Sequence, residues 1–219
     1  MENIKDALFL LVRHGETLLN EEDKFRGWSD DDAAALDEEG VRQAKTAAKF
    51  ISKLIIKVGL ICSSDLNRTE HTAAIIAKRL GIKDILVTPR LRPLNVGVFT
   101  GEGKANISID YYLNNPDEKF PGGESVNGFR ARQQSFQEEK LQPWIDAHPG
   151  EKAIEVGHLS QVVFWQDKRD ALEGYLKDYA TDKKDIIHPG GIVAVMPDDR
   201  VIPLLGENKH AQESDKGEE

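Results

Sequence analysis

Five short apolar runs, near residues 7–13, 58–63, 84–88, 152–157 and 191–196, alternate with longer stretches of helical spacing. Runs this short and this uniformly apolar read as strands buried on both faces. The helical stretches lie near 37–55, 66–80, 125–145 and 160–177, with a shorter helix expected near 105–113. Asp37-Glu38-Glu39 opens the first at its dipole-favoured end, and Ser125 is placed to cap the third. Strands that alternate with helices predict a three-layer α/β/α sandwich around a mostly parallel sheet. At 219 residues the chain suits one domain, expected over 1–206. Turn residues crowd 98–124 (Gly101, Gly103, Asn114-Asn115-Pro116, Pro121-Gly122-Gly123), which predicts an excursion over the mouth of the sheet. The segment 207–219 reads as an acidic, flexible tail.

Composition narrows the partners. The formal net charge is −9, and an acidic chain is poorly suited to nonspecific nucleic-acid binding. No apolar run is long enough to span a bilayer, and no basic start precedes a long apolar core, so a cytoplasmic protein without membrane contact is expected. The single cysteine, Cys62, excludes an internal disulfide and a multi-cysteine metal site, and sits in an apolar run as a small hydrophobe.

The chemistry gathers where the runs stop. The first ends abruptly on Arg13-His14-Gly15-Glu16-Thr17. A buried strand that ends so brings a guanidinium and an imidazole to one edge of the sheet, where open α/β sheets bind ligands. Gly15 allows a close backbone approach. The second run ends on Ser63-Ser64, and Arg68 follows in the first turn of a helix whose N-terminal amides favour an anion. A late run, Ile154-Glu155-Val156-Gly157, ends on His158.

Arg13-His14-Gly15-Glu16-Thr17 with Asn20, then Ser64-Asp65-Leu66-Asn67-Arg68 with Thr72-Ala73, then Gly157-His158 resemble, in order, the signatures of the histidine phosphatase superfamily, the phosphoglycerate mutase-like proteins. The resemblance runs from about residue 8 to 195. It implies a phosphoglycerate mutase-like fold, His14 as nucleophile, and Arg13, Arg68 and His158 as the groups that hold phosphate. It also implies that Asn20, and Arg26 and Gly27 in the Phe25-Arg26-Gly27-Trp28-Ser29-Asp30 loop, line the substrate site. Glu16 is expected to be a structural partner. The activity implied is hydrolysis of a small phosphorylated substrate through a phosphohistidine, with no metal and no cofactor, because arginines neutralise the charge. Their nearby positive charge is also expected to keep His14 neutral.

Two positions depart from the family pattern. Pro93 stands where mutase-like members carry a glutamic acid, and proline cannot donate a proton. Glu124 and Glu102, on the excursion, are the substitutes, with Glu124 ranked first as general acid. Leu159 follows the second histidine where glycine is usual. Of the other histidines, His71 and His188 lie near the expected mouth, His148 ends a helix and His210 belongs to the tail. Three alternatives share part of the pattern. A zinc deaminase would share the His-x-Glu pattern, but needs cysteines this chain lacks. A mutase would need an arginine pair absent from 98–120. A binding module without turnover would explain Pro93 and Leu159. Natural substrate and oligomeric state are not legible. A weakened acid matters least for good leaving groups, so aryl phosphates should turn over faster than alkyl phosphates. Equal kcat/KM on p-nitrophenyl phosphate and an alkyl phosphate would contradict this.

Overall fold

A computed structural model describes residues 4–22, 24–103, 107–166, 187–198 and 200–205. Its centre is a six-stranded sheet: β1 (Phe9–Arg13), β2 (Lys57–Ser63), β3 (Ile85–Val87), β4 (Glu151–Gly157), β5 (Ile192–Val195) and β6 (Val201–Leu205). The spatial order is β3-β2-β4-β1-β5-β6. Strands β1 to β4 are parallel, whereas β5 runs antiparallel to both β1 and β6. The five runs read from sequence are all strands. The sixth, β6, is interrupted by Pro203, which removes an amide donor and is tolerated here at the sheet edge.

Side chains alternate across the sheet, so each apolar run feeds two cores. Leu10 and Val12 of β1, Ile61 of β2, Ile154 and Val156 of β4, and Ile192 and Ala194 of β5 face one side. They pack on Ala47, Ala48 and Ile51 of α2 (Glu38–Ile51) and on Ala73, Ile76 and Ala77 of α3 (Asn67–Leu80). Phe9, Leu11, Cys62, Ala153, Val193 and Val195 face the other side. There they meet helix residues Phe136, Val162 and Trp165. The result is a three-layer sandwich with a mostly parallel sheet, as the alternation predicted.

The helices begin and end for local reasons. Asp37 caps α2 by accepting from the Gly40 amide at 2.7 Å. Ser125 accepts from the Gly128 amide at 3.0 Å and opens α5 (Val126–Phe136). The long helix expected from Ser125 is divided: a π-helical turn, Gln137–Leu141, separates α5 from α6 (Gln142–Ala147). Pro143 lacks the amide an unbroken α-helix needs there, and the ladder widens just before it. The fourth expected helix is α7 (Leu159–Gln166), and its predicted extension to 177 lies outside the described residues. So do the tail, with His210, and residues 105–106 of the short helix. The described part of that helix is α4 (Ile109–Asn114). It belongs to a third small cluster in which Val96, Phe120 and Val126 are covered by Phe25, Phe99 and Tyr112. Hydrogen bonds from Phe25 N to Glu102 O (3.0 Å) and from Gly101 N to Phe25 O (2.7 Å) tie this excursion to the loop at residue 25.

Two glycines bring the start of α2 against the turn after β1. A Cβ on Gly15 would overlap the Gly40 backbone, and one on Gly40 would overlap that of Glu16. Across this contact Glu16 and Gln43 exchange two hydrogen bonds, at 2.8 and 3.0 Å. Gly40→Ala should therefore lower unfolding stability by about 1–3 kcal/mol, an overpacking cost. Urea denaturation checks this, and an unchanged midpoint would mean the contact is looser than described.

Candidate active site

Strand register brings the two histidines together. Arg13 of β1 pairs with Gly157 of β4, and the His14 amide continues the ladder to Gly157 O at 3.0 Å. His14 and His158 therefore leave adjacent parallel strands at the same level. Their rings meet edge to face, with centroids 5.2 Å apart. Both are buried, as are Arg13 and Arg68.

Each side chain is held by a specific neighbour. His14 Nδ1 lies 2.6 Å from Gly15 O, and a carbonyl can only accept, so Nδ1 carries the proton. The Nε2 lone pair is left free, and that atom is buried with no hydrogen-bond partner. The turn itself is steadied by a bond from Gly15 N to Thr72 Oγ1 at 3.2 Å. Arg13 donates to Ile187 O at 2.6 Å. Arg68 donates to Ser29 O (2.8 Å) and Gly27 O (3.0 Å), while its Nε is buried without a partner. His158 Nε2 is 2.9 Å from Ser64 Oγ, which in turn touches Thr69 Oγ1 at 2.6 Å.

Electrostatics keep both imidazoles neutral. Burial is the largest cause and pushes each well below the ordinary histidine range. Arg26 and then Arg68 add to this at His14, and Arg68 and then Arg26 at His158. Burial also lowers Arg68, to about 10, against the opposing pull of Asp30 and Asp31. Arg68 thus remains cationic at neutral pH.

The other expected residues divide. Arg26 faces both imidazoles closely enough to act on each. Gly27 has φ +47, and its carbonyl anchors Arg68. Asn20 Oδ1 accepts from Thr17 N (3.2 Å) and Thr17 Oγ1 (3.0 Å) at the turn that follows the first histidine. The first α3 amide, expected to be open to an anion, is occupied: Asn67 N donates to Asp30 Oδ1 at 2.7 Å. Glu124 stands in an ion pair. Arg132 donates to its Oε1 at 2.6 Å and its Oε2 at 3.2 Å, and Asn95 N donates to Oε1 at 2.9 Å. Glu102 is exposed. The Pro93 carbonyl accepts from Trp28 Nε1 (2.9 Å) and Arg132 Nη2 (3.1 Å). Leu159 packs into the second core.

Some partners were not foreseen. Ser64 lay within a quoted motif but carried no role. Gln161 and Glu155 form a buried polar chain behind His158: Gln161 Oε1 accepts from His158 N (2.6 Å), and Gln161 Nε2 reaches Glu155 Oε1 (3.2 Å). Burial pushes the Glu155 carboxyl up to about 8. An acidic residue within an apolar run was the visible signal.

The α/β sheet thus ends two adjacent strands on paired histidines amid buried arginines. The profile of the histidine phosphatase superfamily (branch 1) matches residues 9–161, and the chain belongs to this superfamily. Over 155 residues it is 36% identical to a protein of Escherichia fergusonii named probable phosphoglycerate mutase GpmB, covering 68% of this chain and 67% of that one. The protein of the same name from Cronobacter sakazakii is 35% identical over the same shares. The crystal structure of phosphoglycerate mutase from Thermus thermophilus superposes with a TM-score of 0.65 at 26% identity, covering 91% of this chain and 99% of that one. Among the described residues no helix is long and apolar enough to cross a membrane.

The shifted groups set a stability profile. Below about pH 6.5 the unfolded histidines bind protons that folded His14 and His158 refuse, so stability falls as pH falls. Glu155 has the opposite sign: folded, it keeps its proton up to about pH 8, so stability falls as pH rises from 4.5 towards 8. With two histidines against one carboxyl, these groups place the maximum near pH 6.5. Urea unfolding across pH 5–8.5 should show it, and a paired His14→Gln, His158→Gln variant should lose the acid limb. An acid limb unchanged in that variant would rule out neutral imidazoles as its source.

Proposed function

We propose that the protein hydrolyses small phosphomonoesters through a phosphohistidine on His14. One observation carries the reading: a buried, unpartnered His14 Nε2 whose opposite nitrogen is fixed as a donor to Gly15 O. A binding pocket has no need of a nucleophile prepared in this way. In the reaction, Arg13, Arg26 and Arg68 hold the nonbridging oxygens and His158 adds a neutral donor. To reach phosphate, Arg68 offers its open Nε, and its bonds to the 27–29 carbonyls set its angle. His14 Nε2 attacks phosphorus in line as the ester oxygen leaves. Water then attacks the phosphohistidine, freeing inorganic phosphate and restoring His14.

Protonation of the leaving oxygen is the weakest step. Glu124, the candidate acid, is ion-paired with Arg132, and such a pairing favours the carboxylate over the acid, which supports the preference for good leaving groups. The names of the relatives favour a second reading, phosphoglycerate mutase activity. In that case phosphate would pass from His14 to a second hydroxyl rather than to water.

The decisive assay is release of p-nitrophenol from p-nitrophenyl phosphate in excess EDTA, alongside 3-phosphoglycerate isomerisation with a bisphosphoglycerate primer. Wild type should hydrolyse the aryl ester, and His14→Ala should lose about a thousandfold or more. Isomerisation far faster than hydrolysis would favour the mutase. A folded wild type that binds orthovanadate without turnover would favour a binding module.

A further inference from the structure

Glu155 has no role in the reaction just proposed, yet its position is costly. It lies on β4 in register with Leu11 of β1 and Cys62 of β2, on the face that forms the second apolar core. It is 1% exposed. Burying a carboxyl there is unfavourable even when it is neutral, unless hydrogen bonds satisfy it.

The hydrogen bonds show what it holds. Glu155 Oε1 accepts from Gln161 Nε2 of α7, which also points to Leu91 O (3.0 Å) and Gln133 Oε1 of α5 (3.3 Å). Gln161 Oε1 receives the His158 amide. Gln133 Nε2 donates onward to Arg90 O at 2.8 Å. Gln161 and Gln133 are as buried as Glu155. Gly157 leaves room for this arrangement, since a Cβ there would overlap the Gln161 amide. One buried chain of polar groups therefore joins the His158 main chain to the loop at 90–93. That loop also receives Arg132 at Arg90 O, Arg92 O and Pro93 O, and its Pro93 carbonyl anchors Trp28.

We infer that Glu155 is a positioning residue, which orients Gln161 so that His158 and the 90–93 loop keep one spacing across the site. The inference rests on the phosphatase reading for its kinetic test but not for its spectroscopic one. The groups closing over Glu155 are neutral: Gln161 from α7, Gln133 from α5 through it, and on β2 the Cys62 thiol, which burial keeps protonated. Ionisation of Glu155 therefore places an uncompensated charge behind His158.

Glu155→Gln keeps an acceptor for Gln161 and cannot ionise. Glu155→Leu removes the acceptor and suits the apolar face. Glu155→Gln should keep kcat within about threefold of wild type at pH 6 and lose any fall in kcat centred near pH 8. Glu155→Leu should unfold at an equal or higher urea concentration, yet lose about tenfold in kcat with KM little changed. Independently of turnover, the His158 imidazole resonances should shift near pH 8 in wild type and not in Glu155→Gln. Wild-type kcat in Glu155→Leu would overturn the inference. So would a His158 shift near pH 8 that persists in Glu155→Gln. A wild type without hydrolysis would sink the phosphatase reading alone, leaving the resonance comparison to decide the role of Glu155.

Discussion

The site depends on the register of two neighbouring parallel strands. With Arg13 opposite Gly157, the next residue on each strand is a histidine, and the His14 amide closes the last rung of the ladder. A slip of one residue would turn His158 to the opposite face and separate the rings. Two apolar cores hold the register, because β1 and β4 each contribute side chains to both faces. The core thus sets the geometry of the chemistry, and helices α2 and α3 act on it through that core. The same helices then add the finer contacts: Gly40 against Glu16, and Thr72 bonded to the Gly15 amide.

Crowding cations around two histidines carries a cost that the fold offsets by keeping the imidazoles neutral. Cationic imidazoles would add charge to a buried group of arginines, whereas neutral ones add none. Desolvation is the largest single cause of this state. Sequence alone points to the guanidinium groups instead, since burial depth cannot be read from a motif. The fixed tautomer has a similar origin. It comes from a carbonyl one residue along the chain, and no residue type reveals that contact.

Much of the frame was legible because it rests on local signals. Uniform apolar runs gave five strands, and Asp37 and Ser125 marked helix starts by capping chemistry that acts within three residues. The convergence of Arg13, His14 and His158 was legible because strand ends deliver side chains to one edge, and that of Arg68 because it opens the helix after β2. The missing pieces are long-range. Pro203 disguised β6, whose pairing with β5 requires only an edge. Glu124 accepts from the Asn95 amide 29 residues away, a contact that no motif reveals. Asp30 reaches the first amide of α3 across 37 residues of sequence, a contact that local reading cannot supply.

One departure from the family pattern, Pro93, lies in the loop at 90–93. Pro93 replaces a side-chain acid with a carbonyl that receives Trp28 and Arg132. The same loop is gripped from behind by Gln133 and Gln161, so its backbone is the hub of a polar network. A buried polar network of this kind fixes the spacing of the groups it joins, which couples its members. A proline at 93 leaves the Arg132 guanidinium to Glu124 and to the loop carbonyls, and its charge there also bears on His158.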